Sequence, residues 1–166
     1  VMMESIDDWM ISEKYTPTIK YMMNNGISFE NHFAQSFGTG LTFNSEFTFN
    51  TGFHTPKSSV TATVFSSNSY PYSLPRLFRE KGYTANSFHY NNSEFYNRGV
   101  MHTSIGFEKY NSFMSFDMPE YVAQADSNII DNEEIYKEMT SKAPFFDFVI
   151  TYSGHVPYTY DDAKLD

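Results

Sequence analysis

Residues 144–152 read PFFDFVITY, a nearly continuous apolar run. Such a run is typical of a strand in a parallel sheet, whose two faces are both covered by helices. It is followed by SGHVP at residues 153–157, in which the glycine permits a sharp turn. Ligands of open α/β sheets bind beyond the carboxyl ends of the strands, so His155 is a candidate for donating to a phosphate or a leaving oxygen.

The rest of the chain alternates between strand and helix patterns, as an α/β fold does. Strands are predicted at residues 1–3, 27–34 and 83–90. Helices are predicted over 17–25, from residue 42 onward and over 74–81 with Ser73 as the cap. A further helix is closed by Gly106-Phe107, and another is predicted over 132–141. Residues 51–69 are predicted to form a long loop over the site, and residues 114–130 an irregular excursion. We therefore expect a mostly parallel sheet sandwiched by helices, within one domain.

Composition narrows the functional classes. The chain has 166 residues, of which 40% are hydrophobic and 19% aromatic, as expected of a globular domain with one core. A net charge of −9 argues against a general nucleic-acid binder, because few cations are present to neutralise phosphates. An acidic protein that binds an anionic substrate usually needs a metal cation. Cysteine is absent from the sequence, which excludes disulfides, thiolate metal ligands and a cysteine nucleophile.

The stretch QSFGTGLTFNSEFTFN at residues 35–50 contains a candidate nucleophile. Small residues loosen the backbone at Ser36, Gly38 and Gly40, and Thr42 follows where a loop is expected to enter a helix. The first turn of a helix offers free N–H groups and a partial positive charge, which favour an anion. A hydroxyl is a weak nucleophile alone, so Thr42 requires a base or a metal. The alternative is a capped helix without chemistry.

An acidic residue follows the first predicted strand. The apolar run VMM at residues 1–3 ends at Glu4, which makes Glu4 a candidate metal ligand at the carboxyl end of a strand. The alternative is a solvated loop carboxylate with Asp7 and Asp8 as equally acidic neighbours. No run approaches the roughly 18 apolar residues of a membrane span. The chain opens VMMES, so we expect a piece of a longer protein whose membrane anchor lies upstream.

A second group of polar residues follows the strand predicted at 83–90. His89 ends this strand, Asn91 lies in a turn, and Tyr96 and Arg98 come close behind. Arginine beside an aromatic residue is suited to bidentate, charge-assisted contact with phosphate, although an arginine on a solvated helix face is an equal alternative. His32 is interpreted as structural. His54, in the predicted loop, could reach a substrate, but most loop histidines have no such role.

Three separated segments together resemble a known family. GTGLTFNSEF at 38–47, FHYNNSEFYNRGVMHTSIGFEKY at 88–110 and FFDFVITYSGHVPY at 145–158 occur in the order and spacing of the extracellular domain of lipoteichoic acid synthases and related phosphoglycerol transferases. These enzymes lie within the alkaline phosphatase and sulfatase superfamily. The resemblance extends from Glu4 to about residue 158. Agreement of several motifs is more specific than any one of them.

The resemblance implies a role for each candidate. Thr42 matches the catalytic threonine, which coordinates a divalent metal and attacks the phosphodiester of a phosphatidylglycerol-type lipid, and Glu4 matches a glutamate metal ligand. Manganese or magnesium is the implied metal, as hard oxygen ligands suggest. The implied phosphoglycerol pocket comprises His89, Asn91 in place of an aspartate found in some members, Tyr96 in place of a frequent tryptophan, Arg98 and His155.

Two departures from the resemblance matter. The family completes its metal site with an Asp-His pair well beyond the position of His155, and this sequence does not include it. Residues 1–166 are therefore expected to be the amino-terminal portion of a catalytic domain, inactive and weak in metal binding by itself. The S-x-P-x-R motif of formylglycine sulfatases also fails at Ser73-Leu74-Pro75-Arg76, because the arginine comes one residue early.

The implied function is transfer of glycerol phosphate from a phosphatidylglycerol-type lipid to a hydroxyl of a polymer or glycan, at the extracellular face of a bacterial membrane. Two alternatives remain open. One is a hydrolase of the same superfamily, a phosphodiesterase or a sulfatase, in which water replaces the acceptor. The other is a domain without activity that binds glycerophosphate polymers.

Overall fold

The computed structural model describes residues 1–33, 41–57 and 60–156. They divide into two compact units. Residues 5–33 form the smaller unit, and the other described residues form the larger one. No helix among these residues has both the length and the apolar character that crossing a membrane requires.

The smaller unit contains one single-turn 3-10 helix, Asp8–Met10, and helix α1, Pro17–Asn25. Proline occupies the first turn, where its missing N–H is not needed, and the Gly26 N–H donates to the Met22 carbonyl at 2.8 Å. The helix prediction is confirmed. The strand predicted at 27–34 is wrong over residues 27–33, which contain no strand.

The helices of the larger unit are α2 (Leu41–Thr51), α3 (Thr61–Val64), α4 (Leu74–Glu80), α5 (Arg98–Ile105), α6 (Glu120–Ala123), α7 (Asn128–Asp131) and α8 (Glu133–Thr140). The strands are β1 (Thr84–His89), β2 (Lys109–Ser112) and β3 (Phe145–Val149). Single 3-10 turns lie at Phe95–Asn97 and Phe113–Ser115.

The strands form a parallel sheet in the order β2-β1-β3, with Ser87 paired to Tyr110 on one side and to Phe148 on the other. Met2 continues the sheet through one parallel bridge to Ile150, which places the start of the chain beside the end of β3. The predicted parallel sheet is confirmed. Strand β2 was not predicted, because its sequence KYNS is short and polar.

Two apolar clusters cover the two faces of this sheet. On one face, Ala85 and Phe148 pack with Phe43 and Phe47 of α2 and Met101 of α5. On the other face, Phe88 of β1 packs with Ala123, Ile129 and Ile135 of α6, α7 and α8. Each buried phenylalanine contributes about 2–3 kcal/mol as an upper estimate. Helices therefore cover both faces, as the apolar β3 sequence predicted.

Three local predictions require correction. The expected loop at 51–69 contains helix α3. The irregular segment at 114–130 contains α6 and all but the last residue of α7. Ser73 does precede α4, but its hydroxyl donates to the Ile105 carbonyl and makes no capping bond. The serine therefore joins α4 to the end of α5, a long-range contact that the local sequence pattern does not encode.

We predict that Asp147→Asn stabilises the protein at neutral pH. Asp147 pairs with Asn86 in the register of the sheet, and both of its carboxylate oxygens are buried without a hydrogen-bond partner. Burial, and then the charge of Glu138, raise the pKa of Asp147 from 3.8 to about 6. The folded state thus holds a proton that the unfolded state releases, and stability falls as the pH rises from about 4 to 6.

Urea denaturation at pH 4 and pH 7 measures this effect. Asp147→Asn should raise the free energy of unfolding at pH 7 by about 1 kcal/mol, allowing for solvent screening at this half-buried position, and by less at pH 4. The control is Asp117→Asn, which changes the charge equally at an exposed residue. Equal effects of the two variants at pH 7 would contradict the prediction.

Candidate active site

Thr42 and Glu4 meet at the carboxyl edge of the sheet. The Met2 N–H donates to the Val149 carbonyl at 2.7 Å, and the Glu4 N–H donates to Thr151 Oγ1 at 2.7 Å, which anchors the start of the chain beside the end of β3. Thr42 lies in the first turn of α2, and its Oγ1 donates to Glu4 Oε2 at 3.0 Å. The two side chains predicted to share an ion are therefore in direct contact.

This pair suits a hard cation in its chemistry. A carboxylate oxygen and a hydroxyl oxygen are the ligand types that Mg²⁺ and Mn²⁺ take in proteins. The described residues contain no group of three or more His, Cys, Asp or Glu side chains that could hold a metal. Glu4 and Thr42 thus fit as part of a metal site, and their role as ligands stays a prediction.

Arg98 begins α5 and is buried, with only 1% of its surface exposed. Its Nε lies 3.1 and 3.0 Å from the two carboxylate oxygens of Glu46, and its Nη2 lies 2.5 Å from Oε1. Burial would raise the pKa of Glu46, but the Arg98 charge and hydrogen bonds from His102 and Arg98 outweigh it and lower this pKa to about 2. Glu46 is therefore ionised at every physiological pH.

This ion pair changes the interpretation of Arg98. The alternative of an arginine on a solvated helix face is wrong, because the side chain is buried. One edge of the guanidinium is occupied by Glu46, whereas Nη1 is buried with no hydrogen-bond partner. Tyr110 is a further hydrogen-bond partner of the guanidinium, so Nη1 is the donor group that remains for an anion. Phosphate binding by Arg98 stays a prediction.

His89 is buried at the end of β1, and its hydrogen bonds define its tautomer. Its Nδ1 lies 3.0 Å from the Ile150 carbonyl, which can only accept, so Nδ1 carries the proton. The Asn91 amide Nδ2 lies 3.2 Å from Nε2 and donates to its lone pair. Burial, and then the Arg98 charge, lower the pKa of His89 to about 4. The imidazole is therefore neutral at pH 7.

Tyr152 lies between the two predicted pocket histidines. Its ring stacks on His155 with centroids 5.6 Å apart, and meets His89 edge-on at 6.1 Å. The Asp126 carboxylate accepts the N–H groups of Tyr152 and Ser153, each at 2.8 Å, and so fixes the turn that leads to His155. Asp126 thereby helps to hold His155 beside the ends of β1 and β3.

Tyr96 forms an aromatic wall against Arg98, with the guanidinium carbon 5.2 Å from the ring centroid. Its backbone is left-handed at φ 53°, and Asn97 follows at φ 50°. Left-handed residues other than glycine are uncommon and often occur at functional sites. This turn places Tyr96 and Arg98 together as the sequence spacing suggested, although the role of Tyr96 in substrate binding stays a prediction.

Two further histidines, His54 and His32, were considered in the sequence. His54 lines a cavity of about 530 Å³ with Phe47 and Tyr70, beyond the carboxyl end of α2 and so at the opposite end of that helix from Thr42. His32 is exposed in the smaller unit. The small residues ahead of Thr42, Ser36 to Gly40, lie outside the described part of the chain.

Sequence reasoning assigned no site role to Glu46, His102, Asp126 or Tyr152. A sequence signal existed for Glu46 and His102. Glu46 comes four residues after Thr42, and His102 comes four residues after Arg98. Side chains with this spacing share one helix face. For Asp126 and Tyr152 there was no comparable signal, since their hydrogen bonds join segments 26 residues apart in the sequence.

The described residues thus form a parallel sheet covered by helices on both faces, with a hydroxyl at a helix start beside its carboxyl edge. The family model described as Sulfatase matches residues 1–165. The chain belongs to this family. The family name denotes shared ancestry and does not assign an activity toward sulfate esters.

The chain is similar to lipoteichoic acid synthase 1 of Bacillus subtilis, with 31% identity over 176 residues. That alignment covers 96% of this chain and 26% of the relative, so the chain spans about a quarter of the relative's length.

Two solved structures share the fold. The lipoteichoic acid synthase LtaP from Listeria monocytogenes superposes with a TM-score of 0.67 at 24% identity, covering 86% of this chain and 35% of that one. An alkaline phosphatase superfamily protein from Vibrio parahaemolyticus gives a TM-score of 0.71 at 19% identity, with 99% and 42% covered. These similarities confirm the predicted fold class.

We predict that Asn91→Asp raises the pKa of His89 by at least about one unit. The amide at position 91 donates to Nε2, whereas a carboxylate there would attract a proton onto this nitrogen and stabilise the imidazolium. Nuclear magnetic resonance titration of the His89 ring measures the shift.

Asn92→Asp is the matched control, since it adds the same charge one residue away. The Asn92 side-chain oxygen accepts the N–H groups of Glu94 and Phe95, and a carboxylate preserves both bonds. The pKa of His89 should change much less in this variant. Equal shifts in the two variants would show that position 91 has no specific contact with the imidazole.

Proposed function

We propose that the protein containing this chain is a phosphoglycerol transferase similar to lipoteichoic acid synthases. It would move glycerol phosphate from a phosphatidylglycerol-type lipid to a hydroxyl of a polymer or glycan. The observation that carries this proposal is the 3.0 Å contact between Thr42 Oγ1 and Glu4 Oε2 at the carboxyl edge of the sheet. The similarity to lipoteichoic acid synthase 1 supports the choice of substrate class.

Thr42 is the nucleophile in this mechanism. Its Oγ1 forms a bond to phosphorus and loses its proton, while the bond from phosphorus to the lipid oxygen breaks and diacylglycerol leaves with a proton. The acceptor hydroxyl then forms a bond to the same phosphorus while the bond from phosphorus to Thr42 Oγ1 breaks, and the proton of the acceptor passes to Thr42 Oγ1. The carboxylate of Glu4 accepts the hydrogen bond of the threonine hydroxyl, so it orients this hydroxyl before attack.

Glu4 and Thr42 are the residues of this chain that would hold a divalent cation. When bound, Mg²⁺ or Mn²⁺ would favour the ionised hydroxyl and offset charge on the phosphoryl oxygens. The start of α2 adds to this effect, because the helix dipole favours negative charge near Thr42.

The remaining pocket residues would bind the glycerol phosphate. The Nη1 group of Arg98 can donate to the anion, since it is buried without a hydrogen-bond partner. His89 is neutral at pH 7, so its Nε2 can accept a hydrogen bond from a glycerol hydroxyl in place of the Asn91 amide. His155, stacked on Tyr152, can contact the glycerol or the leaving oxygen.

These substrates place the proposed activity at the outer face of a bacterial membrane. A phosphatidylglycerol-type donor lies in a lipid bilayer, and the acceptor would be a cell-surface polymer or glycan. The relation to lipoteichoic acid synthase 1 supports this location.

We predict that Thr42→Ala in the full-length gene product lowers the transfer rate at least about 10³-fold, because the covalent route is lost. Thr42→Ser keeps a hydroxyl and should retain measurable transfer. Release of diacylglycerol from fluorescent phosphatidylglycerol, followed by analysis of the acceptor, measures both steps. Thr103→Ala is the control, since this exposed hydroxyl donates to the Gly99 carbonyl on α5, away from the proposed nucleophile.

Two outcomes would overturn the proposal. Full activity of Thr42→Ala would exclude the threonine as nucleophile. Release of free glycerol phosphate by the wild-type protein, without transfer to any polymer or glycan acceptor, would instead identify a hydrolase of the same superfamily.

A further inference from the structure

We propose that Glu46 is a positioning residue that aims the Arg98 guanidinium at the anionic group of the substrate and couples it to Thr42. The inference rests on the proposed function, because it takes the phosphodiester as the ligand of Arg98. The inference adds Glu46 to that site. It also explains why a carboxylate lies close to a pocket that binds an anion.

Helix α2 is the first part of the argument. Thr42 and Glu46 are separated by one helical turn, so their side chains leave the same face of α2. Thr42 contacts Glu4, and Glu46 contacts Arg98. One rigid helix therefore sets the distance between the proposed nucleophile and the guanidinium.

The position of Arg98 is unfavourable without Glu46. Arg98 is the first residue of α5, where the partial positive charge of a helix start disfavours a cation. It is also buried, which costs solvation free energy unless the charge is paired. Glu46 compensates for both effects, and so holds in place a cation that would otherwise turn toward solvent.

The carboxylate of Glu46 is itself fixed from a second side. His102 Nε2 lies 3.1 Å from Oε2 of Glu46, and His102 Nδ1 lies 2.8 Å from Ser87 Oγ on β1. Glu46 therefore contacts side chains of α5 from two successive turns, Arg98 and His102, and is linked to the central strand. This arrangement leaves the carboxylate little freedom to rotate.

The pair leaves one donor group of the arginine unused. Glu46 takes Nε and one hydrogen of Nη2, while Nη1 is buried and has no hydrogen-bond partner. A buried donor without a partner is rare in folded proteins. An anion beside Nη1 would accept a hydrogen bond from it. The unused donor therefore indicates where the ligand binds, and Glu46 determines the orientation of the guanidinium.

A double-mutant cycle on the full-length gene product tests this inference, with Glu46→Gln, Arg98→Gln and the combined variant. We expect Glu46→Gln to raise KM for the lipid donor about 10-fold or more, with a smaller change in kcat. The combined variant should be no worse than Arg98→Gln alone, because Glu46 acts through Arg98. Independent, multiplicative effects of the two substitutions on kcat/KM would overturn the inference.

Two further variants separate positioning from simple stabilisation. Glu46→Asp keeps the charge but withdraws the carboxylate by one carbon, so we expect a raised KM with a melting temperature closer to wild type than that of Glu46→Gln. Glu108→Gln is the matched control, since Glu108 pairs with Arg79 at the surface at 3.2 Å. Its kinetics should equal those of the wild type. Wild-type KM in Glu46→Asp would overturn the inference.

Calorimetry measures the binding of glycerol 1-phosphate to the same variants. This measurement tests the inference independently of the proposed transfer activity. Equal loss of binding in Glu46→Gln and Arg98→Gln supports positioning even if the wild-type protein transfers nothing, in which case only the proposed activity fails. Conversely, transfer by the wild type together with unchanged glycerol 1-phosphate binding in folded Glu46→Gln and Glu46→Asp would overturn the positioning role alone.

Discussion

The ion pair between Glu46 and Arg98 is the constraint on which the site depends. Burying two charges is costly, and the cost is recovered only when geometry and hydrogen bonding are good. Here the contacts are bidentate, and His102 completes the carboxylate's bonding. Since the two partners belong to α2 and α5, this pair joins the helix that carries Thr42 to the helix that follows the His89 strand end.

The sheet supplies the second constraint. Parallel strands require cover on both faces, and the two apolar clusters provide it through α2 and α5 on one side and α6 to α8 on the other. Successive side chains of β1 point to opposite faces of the sheet and therefore have different roles. Phe88 fills one core, whereas Ser87 and His89 face the side where Glu46, Arg98 and Thr42 lie.

Much of this arrangement was predictable from the sequence, because it depends on local patterns. The apolar run at β3, the proline start of α1 and the turn after His89 each specify an element within a few residues. The same reasoning failed for residues 27–33, whose alternating pattern satisfied the rule for a strand while the side chains of Ile27, Phe29 and Phe33 remain exposed. A strand depends on a neighbouring strand, and local alternation does not show whether that neighbour exists.

The candidate site was likewise predictable in part from the sequence. Contact between Glu4 and Thr42 was predicted through the family resemblance, which assigns both residues to one metal site. The burial of Arg98 was not, because an arginine followed by Gly99 and Val100 has the sequence of an ordinary helix start. Its partner lies 52 residues earlier, and only the packed structure shows that the two meet.

The neutrality of His89 has a consequence for the electric field of the pocket. A histidine with its ordinary pKa would add positive charge as the surroundings turn mildly acidic, and anion affinity would then vary with acidity. With the pKa of His89 at about 4 and Glu46 ionised down to about pH 2, neither group titrates between pH 5 and pH 8. The contribution of these two side chains to the electric field of the pocket is therefore constant between pH 5 and pH 8.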